Sequence, residues 1–364
     1  MKAGIVGLPN VGKSTLFNCL SNAKAQSANF PFCTIEPNIG VVNVPDQRLE
    51  KLEALVNPER VIPATVDIVD IAGLVKGASK GEGLGNQFLA NIRETDAILH
   101  VLRCFDNDNI VHVDGSINPI RDKEVIDLEL QFKDLETVEK KLEKVARTAK
   151  TGNKEAQKEE AALKHIKKYL EEGKSVRACE FGEDEYNDFV KPLQLITDKP
   201  VLYVCNVDEG SAVSGNAYVE KVIEAVKHEE AEVLVLAVGT EADINELEEY
   251  EERRMFLEDI GLDEPGSSKL IRSAYKLLKQ QTYFTAGVKE VRAWTITIGN
   301  TAPQAAGVIH TDFEKGFIRA EVISYNDYVH YGSEAKVKEA GKMRVEGKNY
   351  IVKDGDVMHF LFNV

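Results

Sequence analysis

The sequence predicts an α/β fold with a mostly parallel sheet and helices on both of its faces. Three observations predict this fold. Residues 7–15 read GLPNVGKST, with apolar Ile5 and Val6 before them and the helix-like TLFNCL at their end. Continuous apolar runs separated by helical stretches follow, as is typical of buried parallel strands. Between two of these runs, from residue 105 to residue 200, lies a segment too long for one crossover helix, which indicates an insertion.

The apolar runs predict the strands in chain order. After the strand that ends near residue 6, they are TVDIVDI at 65–71, DAILHVLRCF at 96–105, PVLYVCNVDE at 200–209 and AEVLVLAVG at 231–239. Runs this apolar indicate strands that are covered on both faces. The helical stretches between them supply the crossovers of a parallel sheet.

The segment at 7–15 fits the pattern G-x-x-x-x-G-K-[ST] and stands between a strand and a helix, as a phosphate-binding loop does. Gly7 and Gly12 let backbone N–H groups turn toward phosphate oxygens, and the helix adds the positive end of its dipole. We expect Lys13 to reach the outer phosphates and assist catalysis, and the Ser14 hydroxyl to bind Mg²⁺. The predicted nucleotide-binding residues of this loop are Asn10, Val11, Gly12, Lys13, Ser14 and Thr15.

Composition narrows the class of protein. The chain has 364 residues, 43% of them hydrophobic, which leaves room for two or three domains. No apolar run approaches membrane-spanning length, and the start of the chain lacks the apolar core of a signal peptide, so we expect a cytoplasmic protein without a membrane partner. A net charge of −15 limits any RNA contact to a local patch. The cysteines lack metal-ligand spacing, which argues against zinc and against a disulfide framework; they are Cys19, Cys33, Cys104, Cys179 and Cys205.

The insertion is predicted to be an antiparallel helical hairpin. From 124 to 149, and again after the turn signal KTGN, apolar residues recur at three- and four-residue steps. These residues are Leu128, Leu135, Val138, Leu142 and Val145, then Ala156, Ala162, Leu163, Ile166 and Leu170. Residues 140–168 contain ten Lys or Arg against four Glu. This basic tip is either a solvated helix face or a contact for RNA phosphates.

The end of the chain has a different character. From residue 283 onward, short strand-like runs are separated by glycine and DG turns, which predicts a small α+β domain over 283–364. Ten Lys or Arg balance ten Asp or Glu there, so this domain is nearly neutral on an acidic protein. Neutrality permits the approach of RNA, and we expect this domain to share the RNA-facing surface with the hairpin tip.

These motifs together resemble, over essentially the full length, the YchF or Obg-like ATPase family. The resemblance rests on GLPNVGKST, NFPFCTIEPN, DIAGLVKGASKGEGLGN, NVDE and the final VKDGDVMHFLFNV. It implies a G domain over 1–123 and 196–278, the hairpin over 124–195, and a TGS domain, a ubiquitin-like β-grasp module, over 283–364. It also implies a role in translation and a ribosomal partner, either the large subunit or the whole ribosome.

The switch motifs point to Mg²⁺ and a γ-phosphate. Thr34 is placed to join Ser14 on Mg²⁺, Asp70 matches the Walker-B carboxylate, and the Gly73 N–H would meet the γ-phosphate. Four glycines between residues 77 and 85 predict a mobile switch loop, the alternative being an uncoupled surface loop.

Three residues raise questions about hydrolysis and its cations. Leu74 follows Gly73 where many small GTPases carry the water-orienting glutamine, so another group must supply polarity or hydrolysis is slow. His112 is a candidate for that catalytic group, the alternative being a solvated loop histidine. The Asn10 side chain could coordinate K⁺ beside the phosphates or could be a simple turn residue.

The base is predicted to be adenine. A guanine site ordinarily carries N-K-x-D, in which the aspartate accepts two hydrogen bonds from guanine. Here the motif is Asn206-Val207-Asp208-Glu209, which lacks the lysine stem over the base and lengthens the acid. Backbone groups around Asn206 and Val207 could instead pair with adenine, and the predicted base-binding residues are Asn206, Val207 and Glu209. The alternative is a degenerate guanine site that still prefers GTP.

The sequence therefore predicts a ribosome-associated ATPase that acts as a translation-linked switch. Two alternatives remain: a nucleotide-dependent ribosome- or RNA-binding module with incidental hydrolysis, and a conventional GTPase. A small-molecule kinase is disfavoured because no constellation for an acceptor substrate is visible.

Overall fold

A computed structural model describes residues 1–22, 39–71, 84–110, 112, 115–229, 231–247 and 249–363. Thr34, Gly73, Leu74 and Cys33 lie outside the described residues, as does most of the glycine-rich segment at 77–85. The strands are β1 Lys2–Val6, β2 Ile39–Asn43, β3 Val61–Ile62, β4 Thr65–Asp70, β5 Ala97–Arg103, β6 Val201–Asn206, β7 Glu232–Leu236, β8 Gln280–Ala286, β9 Val291–Thr297, β10 Phe317–Ser324, β11 Arg344–Glu346 and β12 Asp356–Phe362.

The helices alternate with the strands in the first two thirds of the chain. They are α1 Lys13–Asn22, α2 Gln47–Val56, α3 Leu84–Arg93, α4 Pro119–Ala149, α5 Lys154–Glu171, α6 Glu183–Glu185, α7 Ala217–Val226, α8 Val238–Glu246, α9 Tyr250–Asp259, α10 Gly266–Leu277, α11 Ala302–Ile309, α12 Thr311–Lys315, α13 Tyr325–Tyr331 and α14 Glu334–Glu339. Among the described residues, no helix combines the length and the apolar character needed to cross a membrane.

The first sheet has the strand order β2-β4-β1-β5-β6-β7. Strands β4, β1, β5, β6 and β7 run parallel to one another. Every residue of β5 and β6 is buried, since helices cover both faces of the centre of the sheet. The predicted α/β fold with a mostly parallel sheet is confirmed.

The chain forms two compact units, residues 1–40 with 67–270 and residues 41–66 with 271–364. The predicted domain boundaries assigned 41–66 to the G domain. In the structure β3 pairs with β9, with Val61 beside Val291, so this segment adds a strand to the sheet of the second unit.

The insertion in the first unit is a helical hairpin. Helix α4 has 31 residues and begins at Pro119, earlier than the predicted 124, because the Asn118 side chain caps it. The turn into α5 passes through Gly152 at φ +86°, a conformation that favours glycine, and Asn153 caps α5. The helices share a core of Val138, Val145, Ala149, Ala156, Leu163, Ile166 and Leu170.

A buried carboxylate joins the hairpin to the sheet. Asp134 of α4 is fully buried and accepts hydrogen bonds from the backbone N–H of Ile196 at 2.9 Å and of Thr197 at 2.7 Å. The Thr197 hydroxyl donates a third bond to it at 2.7 Å. These residues precede β6, so α4 is tied to the strand whose far end carries the NVDE motif.

The second unit contains a mixed sheet in the order β11-β10-β12-β8-β9-β3. Strands β8 and β9 form an antiparallel pair, and the last strand β12 runs parallel to β8. Helix α11 packs Ala302, Ala305 and Ala306 into the core beside Tyr283 and Phe360. A hairpin, a helix and a final strand parallel to the first give the arrangement expected of a β-grasp module.

Candidate nucleotide-binding site

The loops that follow β1, β5, β6 and β7 meet at one edge of the first sheet. Because these strands are parallel, their carboxyl ends lie on the same side, which is where open α/β sheets bind ligands. The phosphate loop connects β1 to α1, the NVDE motif leaves β6, and α8 begins directly after β7. Segments separated by more than two hundred residues therefore form a single site.

Two glycines allow the phosphate loop to approach its neighbours. A Cβ added at Gly7 would lie 2.6 Å from the Val101 carbonyl oxygen, and one at Gly12 would lie 2.5 Å from Nδ2 of Asn206. Gly12 also has φ +99°. The motif glycines are thus required by the contacts of the loop as well as by its phosphate-facing backbone.

Lys13 is folded back on its own loop. Its Nζ donates a hydrogen bond to the Leu8 carbonyl oxygen at 2.6 Å, and the residue is 7% exposed. Burial lowers the pKa of Lys13 to about 8, while the Asp70 charge acts in the opposite direction. A desolvated ammonium whose hydrogen bond in the described residues goes to a neutral carbonyl is suited to receive anionic phosphate oxygens.

Ser14 and Asp70 fit a magnesium ion. The Ser14 hydroxyl donates to Oδ2 of Asp70 at 3.4 Å, a long bond, and the other carboxylate oxygen, Oδ1, is buried without a hydrogen-bond partner among the described residues. A hydroxyl beside a carboxylate with an unsatisfied oxygen is the donor set that Mg²⁺ prefers. The third predicted ligand, Thr34, lies outside the described residues.

A cavity of about 390 Å³ opens beside the phosphate loop. The predicted residues Asn10, Gly12, Thr15, Asn206, Val207 and Glu209 line it. The rest of the lining was not predicted from the sequence; it comes from the loops after β5 and β6 and from the first turns of α8: Phe105, Asp106, Asn107, Ile110, Asp208, Val238, Gly239, Thr240 and Asp243. An apolar run followed by the polar loop FDNDN was the available signal for part of this wall.

Asn206 braces the site from within. Its Nδ2 donates to the Val11 carbonyl oxygen at 2.9 Å, and its Oδ1 accepts from the Val238 N–H at 3.0 Å. The side chain therefore joins the phosphate loop to the start of α8. Both of these side-chain contacts are with the protein's own backbone.

Two backbone groups expected to pair with adenine already have partners within the protein. The Asn206 carbonyl oxygen accepts from the Cys104 N–H at 2.7 Å and keeps a second lone pair, and the Val207 N–H donates to the Leu236 carbonyl oxygen at 3.0 Å. The Val207 N–H is thus already used by the β6–β7 edge, because strand pairing continues past the end of β6. Glu209, the last residue of the motif, begins a short turn that Asp208 caps by accepting a hydrogen bond from the Ser211 N–H at 3.1 Å.

His112 is a buried residue, not the solvated loop histidine considered as an alternative. It is 8% exposed, and its Nε2 lies 2.8 Å from Oδ2 of Asp122 in the first turn of α4. Arg121 lies on the other side, with Nη2 at 3.5 Å from Nδ1 of the imidazole. The ring is therefore held by the base of the hairpin.

Comparisons with known proteins agree with this architecture. Residues 2–147 match the family described as "50S ribosome-binding GTPase", and residues 280–363 match the YchF-type GTPase C-terminal family, described as "Protein of unknown function (DUF933)". The Schizosaccharomyces pombe YchF GTPase superposes with a TM-score of 0.90 at 38% identity, covering 99% of this chain and 97% of that one. A GTP-binding protein from Pyrococcus horikoshii OT3, at 19% identity and a TM-score of 0.62 over all of both chains, shares the fold.

Curated relatives match along the whole length. A protein of Escherichia coli O157:H7 named ribosome-binding ATPase YchF is 57% identical over 100% of this chain and 99% of its own. One of the same name from Bacillus subtilis (strain 168) is 54% identical over 100% of both chains. Because it shares more than half of its residues with these relatives over its whole length, this chain belongs to the YchF family.

Proposed function

We propose that this chain is a Mg²⁺-dependent ATPase that works as a nucleotide-controlled switch on cytoplasmic ribosomes. The observation that carries the proposal is the presence of Val207 and Glu209 in the cavity wall, at the lysine and aspartate positions of a guanine site. The names of the bacterial relatives support ATP and the ribosome. The Schizosaccharomyces pombe relative is named a GTPase, so GTP is the competing nucleotide.

The preference for adenine follows from hydrogen-bond complementarity. Guanine presents a ring N–H and an amino group to an aspartate, whereas adenine presents a lone pair at that ring nitrogen. Val207 is 3% exposed and provides no long stem to cover the base, and the Glu209 carboxylate is one methylene further from its backbone. A site without the matching carboxylate rejects guanine, because the buried donors of guanine stay unpaired.

Titration of the nucleotide-free protein with ATP and with GTP tests the proposal. We expect ATP to bind more tightly and to be hydrolysed faster. The double variant Val207→Lys, Glu209→Asp restores the guanine motif and should shift the ratio of affinities toward GTP. Val213→Lys makes a similar substitution at an exposed valine and serves as the control. Tighter binding or faster turnover of GTP by the unmodified protein refutes the assignment to ATP.

Two cations belong to the proposed site. We assign Mg²⁺ to Ser14 and Asp70, with Thr34 as the switch ligand, and it would neutralise charge on the outer phosphates when bound. Asn10 has φ 63° and lines the cavity, which supports a K⁺ site at its side-chain carbonyl. Equal hydrolysis rates in KCl and NaCl at the same ionic strength would remove the K⁺ assignment.

We propose His112 as the group that orients the attacking water, with Lys13 on the phosphates. The 2.8 Å contact with Asp122 supports this role, because a carboxylate on one ring nitrogen fixes the orientation and tautomer of an imidazole. His112→Ala should lower kcat and leave ATP affinity unchanged. His165→Ala, in the hairpin, is the control. A wild-type rate in the His112 variant would eliminate the role.

The tip of the hairpin is the proposed contact for ribosomal RNA. Along the helices, Lys140 pairs with Glu136 and Lys141 pairs with Glu159. Around the turn, four exposed cations have no carboxylate partner in the described residues: Lys144, Arg147, Lys150 and Lys154. Unpaired cations release counterions when they meet phosphates, so they favour RNA binding.

We assign the rest of the ribosome contact to the C-terminal domain. Its ten basic and ten acidic residues over 283–364 leave it nearly neutral, so it does not repel RNA as the rest of the acidic chain does. Co-sedimentation with ribosomes, with and without ATP, tests the switch. If equal amounts of the protein sediment with ribosomes in both conditions, ribosome binding does not depend on ATP and the switch is refuted.

A second candidate is a nucleotide-dependent binding module in which hydrolysis is incidental. Leu74 favours it, since a leucine has no group that can orient water. The two candidates differ in genetic complementation. If His112→Ala replaces the native protein in cells and Lys13→Ala does not, the bound nucleotide matters and its hydrolysis does not.

A further inference from the structure

The loop after β5 is organised by one buried cation. Arg103, the last residue of β5, is 1% exposed. Its guanidinium donates from Nε to the Phe105 carbonyl oxygen at 3.2 Å, from Nη1 to that of Ile110 at 2.9 Å and from Nη2 to that of Asn107 at 3.0 Å. It also lies 4.7 Å from the centre of the Phe105 ring. One side chain thus holds the loop at three points.

The kind of partner sets Arg103 apart from another buried arginine of the same unit. Arg177, with a side chain 12% exposed, donates to the Thr197 carbonyl oxygen at 3.3 Å and also contacts the carboxylate of Glu229 at 3.4 Å, which offsets the cost of burying its charge. The three bonds of Arg103 go to backbone carbonyls of a single loop. A planar guanidinium can meet three diverging carbonyls at once, whereas a lysine ammonium lacks this fixed fork.

The other described bonds of this loop lie at its exposed surface. Residues 106–110 are exposed and irregular; the Ile110 N–H donates to the Asn107 carbonyl oxygen at 3.1 Å, the Asn109 N–H donates to Oδ1 of Asn107 at 2.9 Å, and the Tyr218 hydroxyl donates to the Asp106 carboxylate at 3.1 Å. Arg103 is the buried group that holds it from beneath. The same loop supplies Phe105, Asp106, Asn107 and Ile110 to the cavity wall. Arg103 pairs with Asn206 in the β5–β6 register, so it lies beside the residue that braces the phosphate loop.

We propose that Arg103 is a positioning residue for the nucleobase. By fixing three carbonyls of the loop, it presents the apolar side chains of Phe105 and Ile110 as a wall against which the purine packs. It acts through the loop and does not touch the nucleotide. The inference rests on the proposed function, because it requires that this cavity take the base of the nucleotide whose phosphates the loop at 7–12 holds.

The test separates the base from the phosphates. Dissociation constants are measured with Mg²⁺ for ATP and for inorganic triphosphate, which has phosphates and no base. For Arg103→Gln we expect the dissociation constant for ATP to rise on the order of tenfold, since three bonds to a charged donor are lost, and that for triphosphate to stay the same. Arg103→Lys should lie between the two, because it keeps the charge and loses the fork.

Arg177→Gln is the matched control, since it removes a buried guanidinium of the same unit that does not line the cavity. It should lower the melting temperature and leave both dissociation constants unchanged. Thermal unfolding checks that each variant folds, and Arg103→Lys carries the comparison if Arg103→Gln does not. A folded variant that keeps its affinity for ATP, or loses affinity for ATP and triphosphate equally, overturns the inference. If the wild type prefers GTP, the adenine assignment fails, and the comparison made with GTP still decides the role of Arg103.

Discussion

Neutralising the unpaired cations of the hairpin tip should change how ribosome binding depends on salt. The variant replaces four exposed residues by glutamine, which keeps helix propensity: Lys144, Arg147, Lys150 and Lys154. Each cation that meets an RNA phosphate contributes about 0.7 to 0.9 to the slope of log affinity against log salt. Four such cations contribute about 3, so a fourfold rise in salt should weaken the wild type about 60-fold more than the variant.

Co-sedimentation with ribosomes over a KCl series from about 50 to about 200 mM measures this slope. A second variant supplies the control with an identical change of charge. It replaces four lysines of the same hairpin that already pair with glutamates: Lys140, Lys141, Lys164 and Lys167. Because their charge is locally balanced, we expect a smaller change of slope in this control.

Three outcomes are informative. A flatter slope in the tip variant alone supports the assignment of the tip to RNA. Equal flattening in both variants means that net charge, and not the absence of a carboxylate partner, governs the contact. An unchanged slope in the tip variant refutes the reasoning, since the hairpin would then lie away from RNA.

Three further predictions concern the first unit. Asn206→Ala leaves buried backbone groups of the phosphate loop and of the turn into α8 without their partners. The affinity for ATP, measured by calorimetric titration, should therefore fall on the order of tenfold or more. An unchanged affinity would contradict the role of Asn206 in holding the two segments together. Asp134→Ala removes the acceptor of three hydrogen bonds and should lower the free energy of unfolding in urea by about 3 kcal/mol. A loss near zero would show that this link between α4 and the residues before β6 is not needed for stability. Burial lowers the pKa of Lys13 to about 8, so the nucleotide-free ammonium loses its proton as pH rises through that value. ATP binding should therefore weaken above that pH and be accompanied by proton uptake, visible as a dependence of the calorimetric heat on the buffer, and Lys13→Gln should abolish the uptake.

Much of the fold follows from local patterns. The phosphate loop is a run of consecutive residues whose glycines, lysine and serine have defined tasks, so its chemistry is evident without coordinates. The hairpin follows from apolar residues at helical spacing on both sides of a turn signal, and the structure confirms it with a shared core. Buried parallel strands can also be predicted from the sequence, because a strand covered on both faces needs a continuous apolar run, as in β5 and β6.

The detail of the candidate site needed the tertiary structure. Asn206 and Val11 are 195 positions apart, and no local pattern indicates that the asparagine side chain donates a hydrogen bond to the phosphate loop. The lysines of the hairpin carry the same charge in the sequence, and some pair along one helix, as Lys140 does with Glu136, but only the packing of α4 against α5 brings Lys141 to Glu159.

The sequence by itself determined the type of chemistry, the order of the domains and the motif that departs from guanine recognition. The tertiary structure decided which groups remain available for that chemistry. In the tertiary structure His112 is buried against Asp122, and the Val207 N–H donates to the Leu236 carbonyl oxygen. Arg103 donates hydrogen bonds to the loop that lines the cavity. The reason is physical: residue types and their spacing specify what a segment can form, whereas hydrogen-bond partners depend on which distant segments packing brings within about 3 Å.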